Sequence, residues 1–316
     1  MPRFDEAAYL RAYPDVAAVV AEGGLPSGRD HFARFGLAEG RNPCPVDRRA
    51  RLLGPLNPAR LRGAEIGALN RPVVRKEEGE ILYIDHTDRD GLLQIFGHTD
   101  MDLGSILEVD AVWGENRLLD CLPGRRPVDY VLASHVVEHV PDLLGWLREV
   151  RDALVPGGQL RLAVPDRRYT FDLLRRESTL ADVLDANLRH ARAPLPRAVL
   201  EFILMTREVS AQKAWLGQID AEALRAQMPS IAHAMTLARE VLEAGRYVDS
   251  HCWIFTPGSF AALMEQLSAA GLLGLECVEF HDTELFDLEF FVALRPTDDD
   301  AQAAASWRDM RERAQA

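Results

Sequence analysis

No run of about eighteen apolar residues, the length needed to cross a membrane as a helix, occurs in this 316-residue chain. The opening MPRFDEAAYL lacks the basic segment and apolar stretch of a secretory signal, so a cytoplasmic protein is expected. Cysteine is scarce: Cys44, Cys121, Cys252 and Cys277 are scattered without CxxC spacing, which suits reduced thiols better than disulfides or a thiolate zinc site. Positive charge is in deficit as well. The formal net charge of −13 opposes non-specific attraction to nucleic acid or to an anionic membrane. The expected partner is a small molecule, or a glycan or protein presented locally. The length allows one large domain with a small companion.

What the chain does contain is clearest between Val128 and Asp166, VDYVLASHVVEHVPDLLGWLREVRDALVPGGQLRLAVPD. This reads as a buried strand, a polar corner, an amphipathic helix, a Pro-Gly-Gly turn and a second buried strand. Leu143, Leu147, Val150 and Leu154 recur at helical spacing, with Arg148, Glu149, Arg151 and Asp152 on the other side, so the helix lays one apolar stripe on a sheet. Short apolar runs on either side are typical of parallel strands. Ser134, His135, Glu138 and His139 then stand at the carboxyl end of a strand, where open α/β sheets bind ligands.

Residues 1–43 read as a separate helical module. Three short helices, Phe4 to Tyr13, Pro14 to Glu22 and Ser27 to Phe35, are punctuated by proline and glycine, with Tyr9, Leu10, Val16, Val19, Val20, Phe32 and Phe35 as its core. Residues 44–60, rich in proline and arginine, read as a linker. An α/β domain follows over 61–296. Its first strand ends in Glu65, Ile66 and Gly67, its second in Ile84, Asp85 and His86, and its third, over Ser105 to Val112, passes through Glu108 and Asp110. Leu275 to His281 and Leu288 to Leu294 are separated by so few residues that they must form an antiparallel hairpin. The expected fold is a Rossmann-like seven-stranded sheet with an inverted last strand, carrying a helical insertion over 167–250 and a tail over 297–316.

On these residues the chain resembles class I S-adenosylmethionine-dependent methyltransferases, in particular the subgroup with ubiquinone-biosynthesis O-methyltransferases. The resemblance covers roughly 62–166 and 250–294. It implies that Gly67 lets the backbone approach the cofactor while Glu65 orients its methionine portion. It further implies that Asp85 accepts the ribose hydroxyls and Asp110 the adenine amino group, roles that suit carboxylates as strong acceptors. Ala68, Asn70, His86 and Ser134 complete the implied cofactor contacts. The usual glycine-rich loop is shortened to Gly67-Ala-Leu-Asn-Arg-Pro, and only about thirteen residues separate Gly67 from the second strand, too few for a helix with Pro72 in the way. Without GxGxxG and a long helix there is little to hold a pyrophosphate, which argues against a dinucleotide enzyme. The N-terminal segment is similar to a short helical module found in bacterial secreted proteins and beside glycosyltransferases.

His135-Val-Val-Glu138-His139 also matches HxxEH, the inverted zinc-protease pattern, but that pattern needs one helix and here Pro141 opens the helix only afterwards. In the resembled subgroup this corner carries acids and a histidine that can bind a divalent metal, and with a histidine here at the first of those positions His135, Glu138 and His139 are a candidate metal set; the alternative is that Glu138 and His139 hydrogen-bond the loop backbone and bind nothing. Methyl transfer to a hydroxyl also calls for a proton acceptor. By position the candidates are His135 and His251, with Asp166 to orient or replace them. Arg168, Tyr169 and Trp253 are candidate substrate contacts, the aromatics as platforms for a sugar ring. The expected activity is O-methylation of a hydroxyl on a sugar, glycan or small polar metabolite. N- or C-methylation and a catalytically silent scaffold are the alternatives.

Overall fold

The computed structural model describes residues 4–45, 47–99, 101–114 and 116–314. Seven strands form one sheet: β1 (Arg62–Ile66), β2 (Glu80–Asp85), β3 (Ala111–Val112), β4 (Val128–Ser134), β5 (Leu154–Pro165), β6 (Leu275–His281) and β7 (Glu289–Pro296). Their order is β3-β2-β1-β4-β5-β7-β6, with β1 to β5 parallel and β7 antiparallel to both its neighbours. The order reverses between β1 and β4, and a crevice opens there at the carboxyl ends of the strands. The inverted last strand is as the sequence predicts.

The helix Leu143–Ala153 buries Leu143, Leu144, Trp146, Leu147 and Val150 on one sheet face, and Asp142 caps it by accepting from the Gly145 N–H at 2.8 Å. The Pro156-Gly157-Gly158 turn lies inside the range of β5 as a bulge: Val128 pairs with Leu154, whereas Tyr130 pairs with Gln159. The third strand is far shorter than Ser105 to Val112. Asp110 explains the difference, because its carboxylate accepts from the Tyr83 N–H at 2.7 Å while its own N–H donates to the Tyr83 carbonyl. A side chain thus takes the donor that a longer β3 would have used.

The stretch expected as a linker contains the helix Arg48–Leu53, capped by Asp47. Its Leu52 and Leu53 are buried in a second core with Val73, Val74, Tyr83, Leu132 and Phe291 on the opposite face of the sheet. The Arg161 guanidinium fastens it by donating to the carbonyls of Arg51 and Leu52. In the N-terminal module Tyr9 and Val16 are buried, with the Tyr9 hydroxyl 3.1 Å from His31 Nδ1, whereas Val19 and Phe35 lie on the surface. Over 167–250 the cap has five α-helices, Leu180–Leu188, Pro196–Met205, Ala211–Trp215, Ala221–Ala226 and Ile231–Ala244; Pro229 divides the long helix expected from Ala221 to Gly245. The tail is no surface element either. The helix Asp300–Arg313 buries Ala303, Trp307 and Met310, and the Trp307 indole donates to the Leu275 carbonyl at 2.9 Å. Among the described residues no helix is long and apolar enough to cross a membrane.

Truncating Leu52 tests whether the segment before β1 belongs to the fold. For a fully buried leucine, Leu52→Ala should lower unfolding stability by about 2–5 kcal/mol in urea titrations. A loss below about 0.5 kcal/mol would mean a detached linker.

Candidate functional site

A cavity of about 560 Å³ lies at the carboxyl ends of β1, β2 and β4, bordered by Gly67, Asp85, His86, Trp113, His135, His139, Tyr247 and Asp249. Gly67 follows β1 with a φ of +70°, and a Cβ there would sit 2.7 Å from Val136 Cγ2, so only glycine leaves this wall open. No α-helix separates β1 from β2, only a single 3-10 turn over Lys76–Glu78. The chain turns at Leu69 and Asn70 and is tied down where the Glu65 carboxylate accepts from the N–H groups of Val73, at 2.8 and 3.0 Å, and Val74, at 3.1 Å. Glu65 therefore faces away from the cavity that Ile66 lines, as alternation along a strand requires. Burial pushes its carboxyl up to about 7, although the two backbone donors pull the other way.

Asp85 ends β2 at the cavity, its Oδ1 2.7 Å from both the His86 N–H and His86 Nδ1. The His86 ring stacks on Tyr247, which arrives from the end of the cap, with centroids 4.8 Å apart. Tyr247 and Asp249 thus close one side of the cavity over the strand ends.

The corner after β4 turns sharply, with His135 at a φ of +54°. His135 Nε2 lies 2.7 Å from Glu289 Oε2 on β7, and Glu289 also accepts two hydrogen bonds from Arg48, which reaches Ser134 as well. Burial works against a charge on His135, yet the Glu289 hydrogen bond and the charges of Glu138 and Glu289 hold its pKa above the ordinary value. Glu138 is fully buried, and neither carboxylate oxygen has a hydrogen bond. Its Oε1 is 3.6 Å from His135 Nδ1 and 3.9 Å from the Nε2 atoms of both His139 and His251. His139 Nδ1 meets Asp249 Oδ1 at 2.8 Å, and His251 Nδ1 meets Asp172 Oδ2 at 2.5 Å. Among the described residues, Glu138, His139 and His251 form a group able to surround a cation. His135 falls outside that group although its Nδ1 lies 3.6 Å from Glu138 Oε1, His251 taking its place, and neither the Glu138 carboxylate nor the His139 ring bonds the loop backbone.

Several expected site residues lie elsewhere. Asp166 is fully buried and satisfied by Arg168 and by the Thr283 hydroxyl at 2.9 Å, away from the cavity. His251 is buried behind His139 rather than on the wall. Asp110 pairs with Lys76 and the Tyr83 N–H instead of reaching the cavity, Asn70 reaches the Ser105 hydroxyl, and Ala68 packs in the second core. Tyr169 stacks flat on Trp215 at 4.0 Å, and the buried Trp253 donates its indole N–H to the Val140 carbonyl at 2.6 Å, so neither offers a free face. Sequence reasoning missed Glu289 and Arg48. The signal for Glu289 is a single acid opening the otherwise apolar run Glu-Phe-Phe-Val-Ala-Leu.

A sequence profile of the family described as a methyltransferase domain matches residues 28–268. Among curated proteins, none matches the sequence. Solved structures similar to this chain include the CcbJ methyltransferase from Streptomyces caelestis (12% identity, 79% of this chain and 94% of that one, TM-score 0.40). They also include the DhpI–SAH complex (17%, 92% and 96%, 0.36). A protein described as a putative Zn-dependent alcohol dehydrogenase from Rhodobacter sphaeroides is similar too (14%, 80% and 90%, 0.42). At such scores these likenesses carry no weight for activity or substrate.

Glu65 gives a pH prediction. A carboxyl raised from 4.5 to about 7 is favoured neutral in the folded chain, so its stabilising contribution is complete below 4.5 and is lost as the pH rises through about 7. Between about pH 5 and 8 the wild type should therefore lose on the order of 3 kcal/mol relative to Glu65→Gln in chemical denaturation. Parallel stability curves for the two proteins would contradict this.

Proposed function

The chain belongs to the methyltransferase-domain family and is an S-adenosylmethionine-dependent methyltransferase; from that premise we propose that it methylates a hydroxyl of a small polar metabolite, sugars included. The carrying observation is that His135 lies on the same cavity wall as Gly67 and Asp85, with Nε2 held by Glu289. Its other ring nitrogen, Nδ1, stands 3.6 Å from the buried Glu138 carboxylate, so two acids orient the ring, and in its neutral form that ring is the proton acceptor of this reading.

S-adenosylmethionine supplies an electrophilic methyl group on a sulfonium. In this reading Gly67 admits it to the strand ends, Asp85 accepts from its ribose hydroxyls, and Trp113 and His86 flank the nucleoside. The chain's residues hold the acceptor hydroxyl in line with the methyl carbon. With the cofactor bound, the proton that the hydroxyl gives up on methylation would pass to the neutral His135 ring, whose imidazolium Glu289 and Glu138 would balance. On a wall that is mostly apolar, His139, Asp249, Asn187, His190 and Arg192 offer the hydrogen-bonding groups that a polar acceptor would meet. A divalent cation at the β4 corner belongs to the same reading, as an aid to deprotonation.

The test is turnover of S-adenosylmethionine with a panel of sugars and polyols. At least one acceptor should support it, and His135→Ala should lower kcat by about 10²–10⁴-fold with cofactor affinity unchanged. Asp85→Ala should instead raise the KM for S-adenosylmethionine. Turnover with amine or carbon nucleophiles alone, or no effect of His135→Ala, would remove the O-methylation reading; no turnover with any acceptor would favour a silent scaffold.

A further inference from the structure

We propose that Glu138, His139 and His251 bind one divalent transition cation at the cavity wall, through a carboxylate oxygen and two imidazole Nε2 atoms. Their candidate ligand atoms all lie within 4.8 Å of one another. A second observation points the same way: Glu138 is completely buried, and both of its carboxylate oxygens are without a hydrogen bond. A buried carboxylate left so is among the least favourable arrangements a fold can keep, unless a cation completes it.

The histidines are prepared for the same task. Asp249 holds His139 Nδ1 and Asp172 holds His251 Nδ1, while Asp172 is itself fixed by Arg175 at 2.9 Å. A carboxylate on one ring nitrogen fixes the tautomer and turns the lone pair of the other nitrogen toward a metal. Both Nε2 atoms stand 3.9 Å from Glu138 Oε1, too far for a hydrogen bond and leaving room between them. Charge agrees with this geometry. Among the described residues Glu138, Asp172 and Asp249 stand against the one permanent cation Arg175, an excess of negative charge that a divalent ion offsets when the imidazoles, His135 included, are neutral. Two imidazoles with one carboxylate suit Mn²⁺, Fe²⁺, Co²⁺ or Zn²⁺, whereas Mg²⁺ and Ca²⁺ prefer all-oxygen sites.

His139 borders the cavity while Glu138 and His251 lie behind it, so the proposed ion would sit against that wall. Bound there, the ion would act as a Lewis acid that makes the hydroxyl easier to deprotonate. Only that use rests on the proposed methyl transfer; the binding itself does not.

The competing state holds the cluster by its own ion pairs and hydrogen bonds with no metal, and metal uptake separates the two. Full-length protein stripped with a chelator is titrated with Co²⁺, Zn²⁺ and Mg²⁺, followed by calorimetry, Co²⁺ visible absorption and elemental counting of bound metal. The expected result is one equivalent of Co²⁺ or Zn²⁺, absorption bands of nitrogen and oxygen ligation, and at least hundredfold weaker Mg²⁺. Glu138→Gln and His251→Gln should weaken Zn²⁺ at least tenfold, while His135→Gln keeps the one-to-one stoichiometry. No stoichiometric uptake, or equal uptake by folded His251→Gln, overturns the proposal. Should the substitutions unfold the chain, the wild-type cobalt spectrum decides, because an aquo-ion spectrum overturns the site. S-adenosylhomocysteine binding measured alongside keeps the readings apart: nucleoside binding without metal sinks this site alone, and metal uptake without nucleoside binding sinks the methyltransferase reading alone.

Discussion

The site depends on the junction between the β4 corner and the segment that returns from the cap. The backbone carbonyl of Glu138 accepts from the N–H groups of Cys252 at 2.6 Å and Trp253 at 3.1 Å, and the Trp253 indole donates to the Val140 carbonyl. These bonds bring Tyr247, Asp249 and His251 to a corner that is distant in sequence. Without them His86 would lack its stacking partner, His139 its carboxylate, and the cavity one of its sides. Because the bonds are to backbone, the junction tolerates side-chain variation in the cap while holding the chain that carries the polar groups in place.

Around that junction the molecule concentrates its buried charge. Three acids, Asp172, Asp249 and Glu289, are held below the usual carboxylate range: burial would raise each of them, and a histidine hydrogen bond, from His251, His139 and His135 respectively, outweighs it only together with the surrounding positive charge. Such paired acids and imidazoles need rigid support, since a displaced partner leaves a buried charge uncompensated. The support comes from both sequence ends. The helix Arg48–Leu53 sends Arg48 to Glu289 and anchors itself by Leu52, and β7, which carries Glu289, lies between β5 and β6. The helix Asp300–Arg313 then closes the core over β6 and the helix Pro257–Ala269.

Much of the sheet was legible because β1, β2, β4, β5 and the β6–β7 hairpin are short apolar runs ending in polar residues, a pattern that only a sheet with its ligand crevice at the strand ends explains economically. The third strand was not, because an aspartate can end a ladder by its side chain as easily as point into a cleft. The same ambiguity misplaced Glu65 and Asp110, whose carboxylates serve backbone N–H groups. Gly67, Asp85, His86, His135 and His139 stand on the cavity, as strand-end logic implies. Asp166, Tyr169 and Trp253 do not, since each finds its partner inside the protein. No local pattern connects Glu138 with His251 across the cap, so their meeting is visible only in three dimensions. The tail helix was readable in principle: Ala303, Ala304, Trp307 and Met310 form one apolar stripe.

The central claim is that the cavity between β1, β2 and β4 holds S-adenosylmethionine and no dinucleotide, since the chain after β1 offers glycine and irregular backbone where a pyrophosphate would need a helix N-terminus. Calorimetric titration of the wild-type protein with S-adenosylhomocysteine and, separately, with NAD tests it most directly. The account predicts saturable one-to-one binding of S-adenosylhomocysteine in the micromolar range and no heat with NAD. Saturable NAD binding, or no binding of S-adenosylhomocysteine, would contradict it.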